Sequence, residues 1–106
     1  MSDMVAPLNL LAGTQQLGKD LPDWTLLGPT TEGSREFSAR IDFSLEFSGP
    51  PLVHLSIVGF DIDHGDFARL RAWAQYIDRS GFTVFISTAF GTQVHSVDIS
   101  WLAIGT

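Results

Sequence analysis

Two short clusters carry side chains able to do chemistry. The first is Asp61, Asp63 and His64, followed by Gly65 and Asp66. Carboxylates and an imidazole are common metal ligands. A calcium loop of this kind would need its glycine one position later and a glutamate near position 72, where Ala72 stands. The spacing better fits a turn in which Asp63 and Asp66 accept backbone N–H bonds and Gly65 bends the chain. No metal is expected. The second cluster is His95, Ser96 and Asp98, the residue types of a base, a nucleophile and an orienting acid. Side chains alternate between the faces of a strand, so His95 is expected opposite Ser96 and Asp98, and a triad fails on geometry. Asp61 and Asp63 would share a strand face, yet paired glycosidase carboxylates need a common cleft and these two end in a turn. No phosphate-cradling glycine loop, zinc-protease motif or nucleophile elbow occurs. The chain reads as a binding protein, not an enzyme, and no cofactor is expected.

Arg69 stands apart. It lies in a largely apolar stretch, where a buried arginine left unpaired would cost roughly 3–5 kcal/mol. It needs a carboxylate, a ligand or solvent. Asp66 and Glu32 are carboxylates that could serve.

Composition narrows the function class. The chain has 106 residues, enough for one domain. Six basic and twelve acidic side chains give a net charge of −6. The one lysine, Lys19, and the arginines at 35, 40, 69, 71 and 79 form no basic stripe. A nucleic-acid partner is therefore not expected. No apolar run reaches the ~18 residues of a membrane span. Met1 to Pro7 lacks the basic start and apolar run of a signal peptide. There is no cysteine and, with Asn9 as the only asparagine, no glycosylation sequon. These features fit a cytoplasmic, non-classically exported or particle-associated protein.

The elements that must position these groups are strands. From Phe37 to Phe47 every odd residue is apolar, and from Ser38 to Ser48 every even one is polar. That period of two predicts a strand with one buried face, ended by Gly49-Pro50-Pro51. Leu52 to Ile62 reads as a second strand by its β-branched and aromatic content. Residues 66–79 are ambiguous. Phe67, Leu70, Trp73, Ala74 and Ile77 have helical spacing, but a strand would place Ala68, Leu70, Ala72, Ala74 and Tyr76 on one face. Ser80-Gly81 turns the chain into a strand from Phe82 to Phe90. Gly91-Thr92 turns it again into a last strand from Val94 to Ile104. Residues 1–33, punctuated by Gly13, Gly18, Pro22, Gly28, Pro29 and Gly33, read as an irregular segment packing on the core through Trp24 and Leu26-Leu27. Residues 34–106 form the folded module. At least five strands with short turns suggest an antiparallel sandwich.

Several stretches together resemble the H-type lectin domain of snail agglutinins and of the C-terminal part of discoidins. They are Pro50-Pro51-Leu52-Val53-His54-Leu55-Ser56-Ile57, Phe60-Asp61-Ile62-Asp63-His64-Gly65, Arg69, Gly81-Phe82, Thr88, Thr92, Val94, Ser96 and Ile99 to Gly105. The resemblance implies an all-β, six-stranded antiparallel β-sandwich, and so decides residues 66–79 for strand. It also implies a homotrimer, or a hexamer built as a dimer of trimers. Its ligands would be galactose- or N-acetylgalactosamine-type glycans, met outside cells and bound at junctions between protomers. Carried over by position, the carbohydrate site comprises Glu32, Gly33, Arg69, Ala89, Phe90 and His95. Snail lectins have Trp-His where this chain has Ala89-Phe90, and tyrosine where it has His95. Phe90 could meet the C–H face of a pyranose, while Glu32 and Arg69 could hydrogen-bond hydroxyls.

Overall fold

The computed structural model describes residues 7–28, 33–64 and 67–106. Six strands form two three-stranded antiparallel sheets. They are β1 (Asn9–Gly18), β2 (Ser34–Asp42), β3 (Leu52–Asp63), β4 (Arg71–Asp78), β5 (Gly81–Ala89) and β6 (Gln93–Gly105). The first sheet has the order β1-β6-β3 and the second β2-β5-β4. The central strands β5 and β6 supply most of the core: Phe82, Val84 and Ile86 face Val94, Val97 and Ile99, with Phe37, Ile41, Leu17 and Leu26 around them. Alternation sorts these residues inward and leaves Thr83, Phe85 and Ser87 on the outer face of the second sheet.

Three expectations change. Asn9–Gly18 lies in the stretch expected to be irregular, yet it is a strand paired along its whole length with β6. Its Gly13 permits packing rather than a break: a Cβ there would lie 2.6 Å from the Trp101 ring. The strand expected to run to Ser48 ends at Asp42. Beyond it the chain crosses the β4–β5 turn, where Phe43 N–H donates to the Ser80 carbonyl (2.8 Å) and Phe47 N–H to that of Arg79 (3.0 Å). Phe43 and Phe47 then close that end of the sandwich against Phe82 and Trp101. Within residues 67–79 the expected strand is present, but its expected face is not kept to the end. Arg71–Asp78 is a strand, but a bulge after Gln75 breaks its alternation. Ile77 turns to the core, while Tyr76 is 69% exposed.

Residues 19–28 pack on the core beside both sheets. Leu26 is buried, the Trp24 ring meets Phe37 at 4.7 Å, and its Nε1–H donates to the Val94 carbonyl at 2.9 Å.

Candidate functional site

Arg69 lies at the end of the sandwich where β5 turns into β6. Two buried threonines hold the stretch that carries it. Thr88 Oγ1–H donates to the Arg69 carbonyl (2.5 Å), and Thr92 Oγ1 accepts from the Arg69 N–H and donates to the Phe67 carbonyl (both 3.2 Å). The guanidinium then lies over the Phe90 ring, 4.8 Å from its centroid, and its Nη1–H donates to the Phe67 carbonyl at 3.1 Å. A cation held over an aromatic face gains about 0.5–1 kcal/mol where exposed.

Phe90 is placed by strained backbone. It occupies the first central position of the Ala89–Thr92 turn with φ of 56°, a position where glycine is ordinarily preferred. The turn is tied from two sides. Phe90 N–H donates to the Gly33 carbonyl at 3.0 Å, and Gly33 itself has φ of 79°. Arg35 reaches across from β2, donating through Nη1 to the Phe90 carbonyl (3.1 Å) and through Nη2 to that of Thr92. Beside the ring, Ser34, Arg69, Arg71, Ser87 and Ala89 border a depression of about 240 Å³.

Of the site residues expected from sequence, the structure brings together Gly33, Arg69, Ala89 and Phe90. Glu32 lies outside the described residues, as does Asp66, the other carboxylate named for Arg69. His95 stands elsewhere, on the outer face of the first sheet. Its Nε2 is 3.1 Å from Asp63 Oδ2, and with Ser96, Asp61, Lys19 and Gln16 it lines a separate cavity of about 300 Å³. His95 is the extra residue of a bulge, since Asp61 pairs with Ser96 while Ile62 pairs with Val94. That bulge corrects the expected alternation: His95 and Ser96 border the same cavity instead of opposite faces. Among the described residues no hydrogen bond joins Ser96 to His95, and no group of three or more His, Cys, Asp or Glu side chains is gathered for a metal ion. No helix among them is long and apolar enough to cross a membrane.

Sequence reasoning missed Arg35. The signal was its phase: it shares the inward parity of Phe37, Ala39 and Ile41, and an arginine on a core-facing phase at a strand end must reach polar groups there. Those groups are the two turn carbonyls.

The arrangement offers an aromatic ring, a guanidinium and nearby hydroxyls at an exposed tip, which can bind a polar ring-shaped ligand. Comparisons agree with the fold. The model of the H-type lectin domain matches residues 38–104. A protein of Fuscovulum blasticum, ATP synthase subunits region ORF 7, is 30% identical over 105 residues, covering 95% of this chain and 87% of that protein. Discoidin II of Dictyostelium discoideum superposes with a TM-score of 0.78 at 21% identity, over 93% of this chain and 37% of that one. The tailspike protein gp49 of Pseudomonas phage LKA1 superposes with a TM-score of 0.64 at 17% identity, over 92% of this chain and 15% of that one. The chain thus spans well under half the length of either solved structure.

Proposed function

The chain belongs to the H-type lectin domain family, and from that premise we propose that it is a carbohydrate-binding module whose site is centred on Arg69 and Phe90. The single observation that carries this reading is the Arg69 guanidinium seated over the half-exposed Phe90 ring beside an open depression. The ring takes the C–H face of a galactose- or N-acetylgalactosamine-type sugar, and the guanidinium donates to its hydroxyls. Charge-assisted hydrogen bonds of this kind contribute roughly 1.5–3 kcal/mol each. Gly33 and Ala89 line the approach, and Glu32 supplies an acceptor. A homotrimer, or a dimer of trimers, brings His95 with Asp63 of one protomer towards Arg69 of the next and multiplies weak sites by avidity. The glycans are extracellular, and the module binds them without turning them over.

A glycan array probed with the intact protein and with R69A tests this. Binding to galactose-family glycans that falls at least about tenfold in R69A, the loss of one charge-assisted contact, supports it. Equal binding by both proteins refutes the assignment of Arg69.

A second reading is a structural or host-attachment spike of a phage-like particle with little or no sugar binding. The sandwich shared with a phage tailspike favours it. An array blank at all protein concentrations, with the protein recovered on purified particles, selects this reading.

A further inference from the structure

The outer face of the second sheet carries an aromatic strip that the Arg69–Phe90 site does not use. Trp73 on β4 stands directly across from Phe85 on β5, and their rings are parallel within 9° at 5.5 Å. Tyr76 joins Phe85 at 6.0 Å, and the Arg71 guanidinium covers Trp73 at 5.8 Å. Simple alternation would have turned Tyr76 to the core. The bulge after Gln75, with Tyr76 at φ of 52°, turns it outward instead. Arg40 holds that bulge in place, donating through Nη1 to the Tyr76 carbonyl (2.9 Å) and through Nη2 to Asp78 Oδ1 (2.8 Å). Bulges that re-aim a side chain, and backbone strain at a non-glycine residue, concentrate at functional sites.

The strip is continuous with the site. Arg71 pairs with Ser87, one step along the same face from Trp73 and Phe85, and both border the depression that also touches Arg69 and Ala89. From Ala89 to Phe85 the track runs four residues along β5, about 13 Å at strand rise. The apolar part is narrow. On its β2 side it meets Glu36, Ser38 and Arg40, across from Ser87, Phe85 and Thr83. A protein interface needs a broad apolar core inside a polar rim, which this face does not offer. A single file of rings with guanidinium, amide and hydroxyl groups beside it suits a chain of sugar rings, each with apolar C–H faces and polar edges.

We infer that the module binds an extended oligosaccharide along this track, from Phe90 and Arg69 past Arg71 to Trp73, Phe85 and Tyr76, and not one terminal sugar alone. This inference rests on the Arg69–Phe90 site being a sugar site. The test is calorimetric titration of the intact protein with galacto-oligosaccharides of one to six rings, for the wild type, W73A and Y76G. Y76G relieves the positive-φ strain, so it tests the ring with little risk to folding. The expected result is affinity that rises by about tenfold or more with length, as one or two added polar contacts would give, and that loses this gain in both variants. Short sugars that bind with no gain in length, or a gain that both variants keep, overturn the track and leave the terminal site standing. No binding at any length overturns both. A change of oligomer mass in W73A or Y76G assigns the strip to a protein contact and overturns the track as well.

Discussion

At the residue scale, Phe90 shows how function and local stability pull apart. Its backbone occupies a conformation suited to glycine, at a cost of order 1–3 kcal/mol, and the ring is 46% exposed. The side chain therefore gains little by burial where it stands. F90G relieves the strain but loses the Arg69 contact and adds freedom to the unfolded chain, about 0.5–1 kcal/mol against. Its unfolding free energy, measured in urea, is expected within about 1 kcal/mol of wild type, while glycan binding falls. A variant that unfolds much more easily and still binds would show that the ring is packing and not ligand contact. Arg69 was legible in sequence as an arginine in an apolar stretch with a matching family position. The left-handed backbone of Phe90 was not, because nothing in Ala89-Phe90-Gly91-Thr92 marks the phenylalanine, rather than the glycine, as the residue with positive φ.

At the element scale, the site is a junction of strand ends. The stretch before β4 hangs on Thr88 and Thr92, and the β5–β6 turn hangs on Arg35 and Gly33. T92V keeps the shape of Thr92 and removes its hydroxyl. The Arg69 N–H then loses this partner, at about 1–3 kcal/mol if it stays dry, while the Phe67 carbonyl keeps its bond from Arg69 Nη1. Faster amide exchange is expected at Arg69, with the central strands unchanged. Protection at Arg69 equal to wild type would show that the hydroxyl does not hold this stretch. The alternation of Phe37, Ala39 and Ile41 announced β2, and the turn at Ser80-Gly81 announced the boundary of β5. The three bulges, at Val58, His95 and after Gln75, left no trace in the pattern. A bulge is decided by the pairing partner as much as by the bulged strand, so a one-strand reading misplaces every side chain beyond it. That is why strict alternation sets His95 opposite Ser96 and Tyr76 on one face with Ala72 and Ala74. β1 was missed for a related reason: Gly13, which reads as punctuation alone, is the place where the Trp101 ring lies against the strand.

At the scale of the whole molecule, the end opposite the site is held by charge within the second sheet and its turn, as well as by the Phe43 and Phe47 rings. Asp78 accepts from the Ser80 N–H and hydroxyl (both 2.8 Å) and from Arg40 (2.8 Å). The Ser80 backbone N–H, then its hydroxyl, then Arg40 pull this carboxyl down from 3.8 to about 2. Across the same turn the Arg79 guanidinium is paired with Glu46, which raises its affinity for its proton. A depressed carboxyl favours the fold while it is ionised. Its contribution is whole above pH 3.8 and is lost as the pH falls through about 2. Thermal melts should show wild type above D78N at pH 5 and the two converging towards pH 2. A gap of constant size down to pH 2 would remove Asp78 as the titrating group. Asp78 is exposed, so the gap is expected to be modest and smaller in high salt.

β1 lies antiparallel along β6 for its whole length. Asn9 pairs with Gly105, and Ser48 N–H donates to the Thr106 carbonyl at 3.2 Å. The first and last strands thus begin and finish at one pole, beside Phe47, while Arg69 and Phe90 occupy the other. A linker or a solid support joined at the start of β1 or the end of β6 would leave the opposite pole facing outward. A tethered biosensor attached at either of those two strand ends would present the Arg69–Phe90 tip in the same direction.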